Sequence, residues 1–308
     1  MSLLSQSTKG KQLRPQLITI YGPNKVGKST WACSFPKPYV ADIERGTHHL
    51  DVERFDNIND LATFKTLTRE ILETKHDFKT FVVDSVEALE SLIFKDVCRE
   101  GNVDSIEKYE KGFGKGYVRS AEYMEEIMHM LQAITQKRGM DVILIAHAHT
   151  KSHSDPSELT AYDRWTLRCN KNMTAVIKDL SDNIFFATNK VYVKKDGMKG
   201  KGIGDGERII YTEWRPGFDA GNRLDLPFEL PFPKENPYQA FKEALALAKP
   251  KTTEELKAEI TELLKGIPAS DEQLKTKVVA SFEAAGNDYS MLLAIRDRLR
   301  EKMKKGEV

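Results

Sequence analysis

The run Gly22-Pro23-Asn24-Lys25-Val26-Gly27-Lys28-Ser29 constrains this chain more than any other feature. It fits G-x-x-x-x-G-K-[ST], and its flanks supply the context such a loop requires. Before it, Gln16-Leu17-Ile18-Thr19-Ile20-Tyr21 is apolar and β-branched and predicts a buried strand. After it, a helix is expected from Lys28 to about Ser34, stopped by Pro36 and Pro38. A strand, a glycine-bearing loop and a helix make a phosphate cradle. The glycines let successive N–H groups converge on one anion, and the helix N-terminus adds a favourable dipole. The expected contacts run from Gly22 through Thr30, with Lys28 on the β/γ-phosphates of ATP and the Ser29 hydroxyl on Mg²⁺.

The remaining elements alternate. A short strand is expected at Tyr39-Val40-Ala41-Asp42-Ile43, and a helix over 57–75 carries Leu61, Phe64, Leu67, Ile71 and Leu72 at helical spacing. Thr80-Phe81-Val82-Val83-Asp84 is the continuous apolar run of a strand buried on both faces. A helix near Val86–Val97 follows, then a polar stretch over 99–116, and then a long amphipathic helix with Ile127, Met128, Leu131 and Ile134 on one face. Asp141–Ala146 is the next buried strand, and further strands are expected at 183–188, 190–194 and 208–214. Strands alternating with helices predict an α/β fold with a mostly parallel central sheet. Pro227, Pro231, Pro233 and Pro237 then mark a stiff exit, and beyond Lys251 three short helices are expected near 253–265, 271–285 and 288–305. Thr252 with Glu255 and Ser270 with Gln273 read as capping boxes. The organisation expected is a tail over 1–14, an ATPase core over 15–230, a Pro-rich linker over 231–250 and a helical region over 251–308.

Asp84 closes its strand at the carboxyl edge, where open α/β sheets bind ligands, and is expected to hold Mg²⁺ through water. A helix N-cap formed by Asp84 or Ser85 is the competing reading. Hydrolysis needs a group that orients or deprotonates water. Glu44 and Glu87 both sit near strand ends, and Glu44 is preferred because Glu87 is expected to point along the helix that Asp84 opens. The strand ending Ala146-His147-Ala148-His149 brings His147 to the same edge as a γ-phosphate contact.

Composition excludes several classes. The formal net charge over 308 residues is +1, so nucleic-acid binding has to come from local patches. Cys33, Cys98 and Cys169 are odd in number and widely spaced, which fits a reducing cytoplasm. No stretch approaches the ~18 apolar residues of a membrane span.

The order Gly22–Ser29, Asp42-Ile43-Glu44, Val82-Val83-Asp84-Ser85-Val86 and Ile143 to His147 resembles the ATPase core of RecA-family recombinases. In size it is most similar to the phage-encoded RecA-like annealing proteins of the Sak-four group. The resemblance covers about 15–230 and implies a RecA-like P-loop NTPase core, with Glu44 as base, Asp84 as the metal-linked aspartate and His147 where the family usually has Gln. It further implies single-stranded DNA and a homo-oligomer, ring or filament, as partners. A single-strand-binding protein is a further implied partner, and the host cytoplasm is the place of action. Two loops would face DNA, about 99–119 and 148–172. The first interleaves Lys108, Lys111, Lys115 and Arg119 with Tyr109, Phe113 and Tyr117, and the second holds Arg164 and Arg168. Cations with rings suit a single strand, because charge tracks phosphates while rings stack on bases. Arg215, or a lysine of the 190–201 cluster such as Lys190, is the candidate finger acting in trans. The last helix carries Arg296, Arg298, Arg300, Lys302, Lys304 and Lys305 against Asp297 and Glu301. The function so predicted is a DNA-stimulated ATPase promoting annealing or recombination. The alternatives are a P-loop kinase and a nucleotide-gated loader or scaffold with slow turnover.

Overall fold

The structure is a computed structural model that describes residue 7 and residues 14–154, 160–196, 199–203, 206–248, 253–267 and 271–304. The tail over 1–14 apart from Ser7 and Arg14, the expected caps at Thr252 and Ser270, Lys305, and the side chains of Lys194, Lys195, Lys199, Lys201 and Lys304 lie outside the described residues.

Alternation along the strands explains the architecture. In β1 (Leu17–Gly22), Leu17 and Tyr21 enter one apolar cluster while Ile18 and Ile20 enter a second. The same split recurs in β4 (Thr80–Asp84), with Phe81 and Val83 against Val82. It recurs again in β5 (Asp141–His153), with Val142, Leu144 and Ala146 against Ile143 and Ile145. Successive side chains of a strand point to opposite faces, so a run that is apolar at every position needs a cover on both. One face is covered by α2 (Leu61–Glu73), α3 (Val86–Glu100), α4 (Lys115–Arg138) and α5 (Lys171–Leu180). The other is covered by α1 (Lys28–Cys33) and α6 (Pro237–Ala248).

The sheet is completed by β2 (Pro38–Asp42), β3 (Glu53–Phe55), β6 (Tyr162–Leu167), β7 (Asn183–Asn189), β10 (Arg208–Tyr211) and β11 (Glu229–Pro231). Its order is β11-β10-β7-β1-β5-β4-β2-β3, with β6 paired to β5. The pairs β7-β1-β5-β4-β2-β3 are parallel, and β10, β11 and β6 join antiparallel. β1 is therefore central, and β5 lies between it and β4. A separate hairpin pairs β8 (Tyr192–Asp196) with β9 (Lys199–Ile203).

Two expectations change. The stretch 148–172 is not an open loop: β5 runs on to His153 and returns as β6, with Ala148 opposite Leu167 and His153 opposite Tyr162. Where a Pro-rich linker was expected over 231–250, the chain forms the end of β11 and then α6, and Phe232, Phe241 and Ala244 are buried in the second cluster. Pro237 at the first helical position starts α6, because its fixed φ suits a helix and its missing N–H costs nothing there. Phe241 packs edge-on against Trp31, and truncating such a ring costs about 3–5 kcal/mol.

The chain divides into two compact units, Met1–Ala248 and Lys249–Val308. The second contains α7 (Thr253–Lys265), α8 (Glu272–Ala285) and α9 (Tyr289–Lys304), around Leu256, Ile260, Leu264, Leu292 and Leu299. In α9, Arg296 pairs with Asp297, and Arg300 reaches Glu259 at 2.5 Å. No helix of the described residues is long and apolar enough to cross a membrane.

Candidate functional site

Strand register assembles the site. Asp42 lies beside Asp84, Asp84 beside Ile145, and Gly22 beside His147, so the carboxyl ends of β2, β4 and β1 share one edge with the middle of β5. The loop after β1 turns back over that edge. Gly22 has to be glycine, since a Cβ there would lie 2.0 Å from the Ala187 carbonyl oxygen of β7. Gly27 has φ 104, in the left-handed region that glycine adopts without strain. Its carbonyl accepts from Trp31 N–H at 2.9 Å, which starts α1.

A cleft of about 350 Å³ opens beside this loop, lined by Lys25, Gly27, Lys28, Ser29, Thr30, Glu44, Gly46, His49, Asp84, Ile145 and His147. Lys28 is 5% exposed, and its Nζ donates to the carbonyl oxygens of Gly22 and Pro23, both at 2.9 Å. Burial lowers its pKa to about 8, opposed by the carboxylates of Glu87, Asp84 and Glu44. Ser29 Oγ donates to Asp84 Oδ2 at 2.6 Å. Burial raises the Asp84 carboxyl to about 6, against the Ser29 hydrogen bond and with help from the charges of Glu44 and Asp42. A hydroxyl and a carboxylate so joined are the hard oxygen donors that Mg²⁺ takes, and the pair fits that ion. Asp84 does not cap α3. Ser85 does, accepting from Ala88 N–H at 3.4 Å after a cis Asp84–Ser85 peptide bond.

Glu44 reaches the cleft because Asp42 folds the chain under it. The buried Asp42 carboxylate accepts from Gly46 N–H at 2.9 Å, Thr47 N–H at 3.0 Å and Thr47 Oγ1 at 2.5 Å. Ile43 and Glu44 donate their N–H groups to the Asp84 carbonyl at 2.8 and 3.2 Å. The His147 imidazole, with Nε2 3.7 Å from Glu44 Oε1, holds the Glu44 carboxyl below its ordinary range against partial burial. The Ser85 hydroxyl, which donates to Oε1, adds to the same effect.

Glu87 departs from expectation. It does not point along α3 but turns inward, its Oε1 accepting from His147 N–H at 2.6 Å, and burial raises its pKa. Glu87 Oε2 and the Nδ1 atoms of His147 and His149 are buried without a hydrogen-bond partner. Glu44, Glu87 and His147 each offer an atom within 4.8 Å of the others. Both glutamates thus stand beside His147, one rim-exposed and ionised, the other enclosed.

The expected DNA-facing residues separate. In the 99–119 stretch, a 3-10 turn (Ile106–Lys111) and a run of positive φ at Glu110, Lys111, Gly112, Phe113 and Gly114 present Phe113 with 99% of its surface exposed. Lys108 pairs with Asp104, Lys115 with Glu110 at 3.2 Å, and Arg119 with Glu100 and Glu122. Arg164 is enclosed, its side chain 14% exposed and paired with Asp219, which also holds Lys178. That engagement leaves Arg164 little freedom to meet a strand of DNA. Arg168 donates its N–H to the His147 carbonyl at 3.0 Å, and its charge acts on Lys28 and Glu44. Of the proposed fingers, Arg215 is exposed with its guanidinium 4.1 Å from the Phe228 ring centre, and Lys190 lies 3.7 Å from Glu207.

The turn built on Asp42 and the contact of Arg208 Nη1 with the Val26 carbonyl, 2.9 Å, are contributions the sequence reading missed. An aspartate at a strand end followed by Gly46-Thr47 was a usable turn signal. Arg208 carried none, being 182 residues from its partner.

Residues 14–224 match the AAA domain family (AAA_24). The SPbeta prophage-derived uncharacterized protein YorG of Bacillus subtilis (strain 168) is 32% identical over 146 residues, which is 46% of this chain and 44% of that protein. The matched region thus spans less than half of that relative's length. Among solved structures, the RadB recombinase is similar over 72% of this chain and 90% of its own, at TM-score 0.40 and 16% identity. The KaiC-like protein PH0186 of Pyrococcus horikoshii OT3 is similar over 73% and 88%, at TM-score 0.35 and 11% identity. Similarity at those scores adds no weight to the strand order and the cleft.

Proposed function

The chain belongs to the AAA domain family, and from that premise we propose that it is a Mg²⁺-dependent ATPase that assembles on single-stranded DNA and promotes annealing or recombination. The observation that carries the reading is the convergence of Lys28, Ser29, Asp84, Glu44 and His147 on one cleft at the carboxyl edge of the sheet. The loop N–H groups and Lys28 hold the β/γ-phosphates of ATP. Ser29 and Asp84 would hold Mg²⁺, which neutralises charge that develops on the phosphates. Glu44, ionised and open to solvent on one side, takes a proton from the attacking water. Glu87 is the weaker candidate for that step, because its enclosure favours the protonated form. His147 stands beside Glu44 and meets the γ-phosphate from β5. That strand continues into the hairpin with β6, so loss of the phosphate has a direct path outward.

DNA contact is assigned to the loop that displays Phe113. A fully exposed ring between two glycines offers a stacking face to a base, and Lys108, Lys111, Lys115 and Arg119 lie within six residues of it along the chain. Three of those four cations exchange an internal carboxylate for a phosphate when DNA arrives. Arg215 and Lys190 are the candidates for contact with the nucleotide of a neighbouring subunit. The test is ATP turnover of the wild type and of Lys28→Ala with and without single-stranded DNA, alongside a screen of small phosphate acceptors. Stimulation by DNA that vanishes in Lys28→Ala supports the reading. Phosphate transfer to a small acceptor would replace it with a kinase.

A further inference from the structure

Glu87 takes no part in the proposed hydrolysis, yet it is enclosed beside two groups that do. Its Oε1 accepts from His147 N–H at 2.6 Å, while its Oε2 is buried without a hydrogen-bond partner. His147 Nδ1 is buried without one as well, in a side chain that is 17% exposed. Glu44 completes the group from the turn after β2. One atom from each of Glu44, Glu87 and His147 lies within 4.8 Å of the other two, and Glu44 Oε1 is 3.7 Å from His147 Nε2. Buried polar atoms of native proteins are paired as a rule, because an unpaired one carries its full desolvation cost. A metal ion would meet that need for the carboxylate and the imidazole together.

We propose that Glu44, Glu87 and His147 form a second cation site, separate from the Ser29–Asp84 pair, which takes Zn²⁺ or a similar transition-metal ion and silences the ATPase by occupying Glu44. One imidazole nitrogen and two carboxylates are the three-ligand set that Zn²⁺ accepts, with a further position left for water. Mg²⁺ takes oxygen donors and stays with the hydroxyl and carboxylate of Ser29 and Asp84. At metal–ligand bonds of about 2.1 Å, donors 3.7 Å apart subtend about 120° at the ion, close to a tetrahedral opening. Both carboxylates are already oriented by outer hydrogen bonds, Glu44 by the Ser85 hydroxyl and Glu87 by His147 N–H, as ligating carboxylates are. Three carboxylates, Glu87, Asp84 and Glu44, act on Lys28 against one further cation, Arg168, so the surroundings favour a positive ion. A Glu44 bound to metal has committed the lone pair that would take a proton from water, while the phosphate loop remains free to hold nucleotide.

The cation site stands on its own geometry, and only its effect on turnover rests on the ATPase reading. Binding is therefore measured first, on the nucleotide-free full chain in excess Mg²⁺, by calorimetry with Zn²⁺ and by the visible absorption of Co²⁺. Wild type should take up one equivalent more than either Glu87→Gln or His147→Gln. The Co²⁺ spectrum should lack thiolate charge-transfer absorption, which separates the site from Cys33, Cys98 and Cys169. Glu87→Gln keeps an acceptor for His147 N–H, and its thermal midpoint reports that it is folded. No uptake by wild type, or equal uptake by wild type and both variants, refutes the site. Turnover is then followed in Mg²⁺ and ATP with free Zn²⁺ buffered. Zn²⁺ should inhibit wild type without displacing nucleotide, and the half-inhibiting concentration should rise at least about tenfold in Glu87→Gln. The same half-inhibiting concentration in both proteins, or uptake without inhibition, overturns the silencing. Metal uptake by a wild type that hydrolyses no ATP would instead support the site and overturn the ATPase reading alone.

Discussion

Glu44→Gln separates the two carboxylates beside His147. The side chain is 38% exposed, and its partners are the Ser85 hydroxyl and, 3.7 Å away, the His147 ring. Glutamine keeps an oxygen to accept from Ser85, so the fold should change by no more than about 0.5 kcal/mol, as for other surface substitutions. What it loses is the charge that accepts a proton from water. General bases contribute about 10²–10⁴ in rate. At 1.36 kcal/mol per tenfold, that is a barrier higher by about 2.7–5.4 kcal/mol. Nucleotide affinity should hold, because Lys28, Ser29 and Asp84 are untouched. The control is Glu87→Gln. Its amide oxygen can still accept the His147 N–H that Glu87 Oε1 holds at 2.6 Å, and burial already favours an uncharged group there. Turnover in that variant should stay within about threefold of wild type, on the general-base assignment to Glu44. Phosphate release and binding of a fluorescent ATP analogue measure the two terms. Wild-type turnover in Glu44→Gln together with an inactive Glu87→Gln would reverse the assignment and refute the reasoning from exposure.

Three further outcomes are expected. Asp84 is 6% exposed and raised to about 6 from 3.8, so between those pH values the folded state holds a proton that the unfolded state lacks, and stability falls as pH rises through that window. At 1.36 kcal/mol per unit, Asp84→Asn should raise the thermal midpoint of the nucleotide-free protein at pH 7.5 by the equivalent of at most about 3 kcal/mol, while weakening Mg²⁺-dependent ATP binding. A lower midpoint, measured by calorimetry, would contradict this. Gly22→Ala forces apart β1 and β7 at the Ala187 carbonyl and should cost about 1–3 kcal/mol or more in chemical denaturation, with weaker ATP binding; an unchanged midpoint would show that the strands yield. Phe113→Ala should cost about 1–3 kcal/mol in single-stranded-DNA affinity with little change in salt dependence. Lys111→Ala, by contrast, should lower the log–log salt slope by about 0.7, both read by fluorescence anisotropy at several salt concentrations. Unchanged affinity and slope in the pair would remove this loop from the DNA site.

What was legible in the sequence is what neighbours along the chain decide. The glycine and lysine spacing of Gly22–Ser29 names a phosphate loop because consecutive backbone groups make the cradle. The unbroken apolar runs of β1, β4 and β5 name strands covered on both faces, and Asp84 at the end of one of them names the ligand edge. α6 was not read: the prolines before it gave a linker over 231–250, although Pro237 and the spacing of Tyr238, Phe241 and Ala244 carry a helix signal. Tertiary structure decided the rest. Whether Glu44 or Glu87 faces open solvent depends on the turn that Asp42 closes and on the β4–β5 register that brings His147 over α3. Whether Arg164 is available depends on Asp219, 55 residues further along the chain. Arg208 meets Val26 only because β10 lies one strand beyond β7 in the finished sheet. Side-chain periodicity reports the face on which a residue lies. The neighbour it meets there is set by strand order and register, which long-range pairing alone determines.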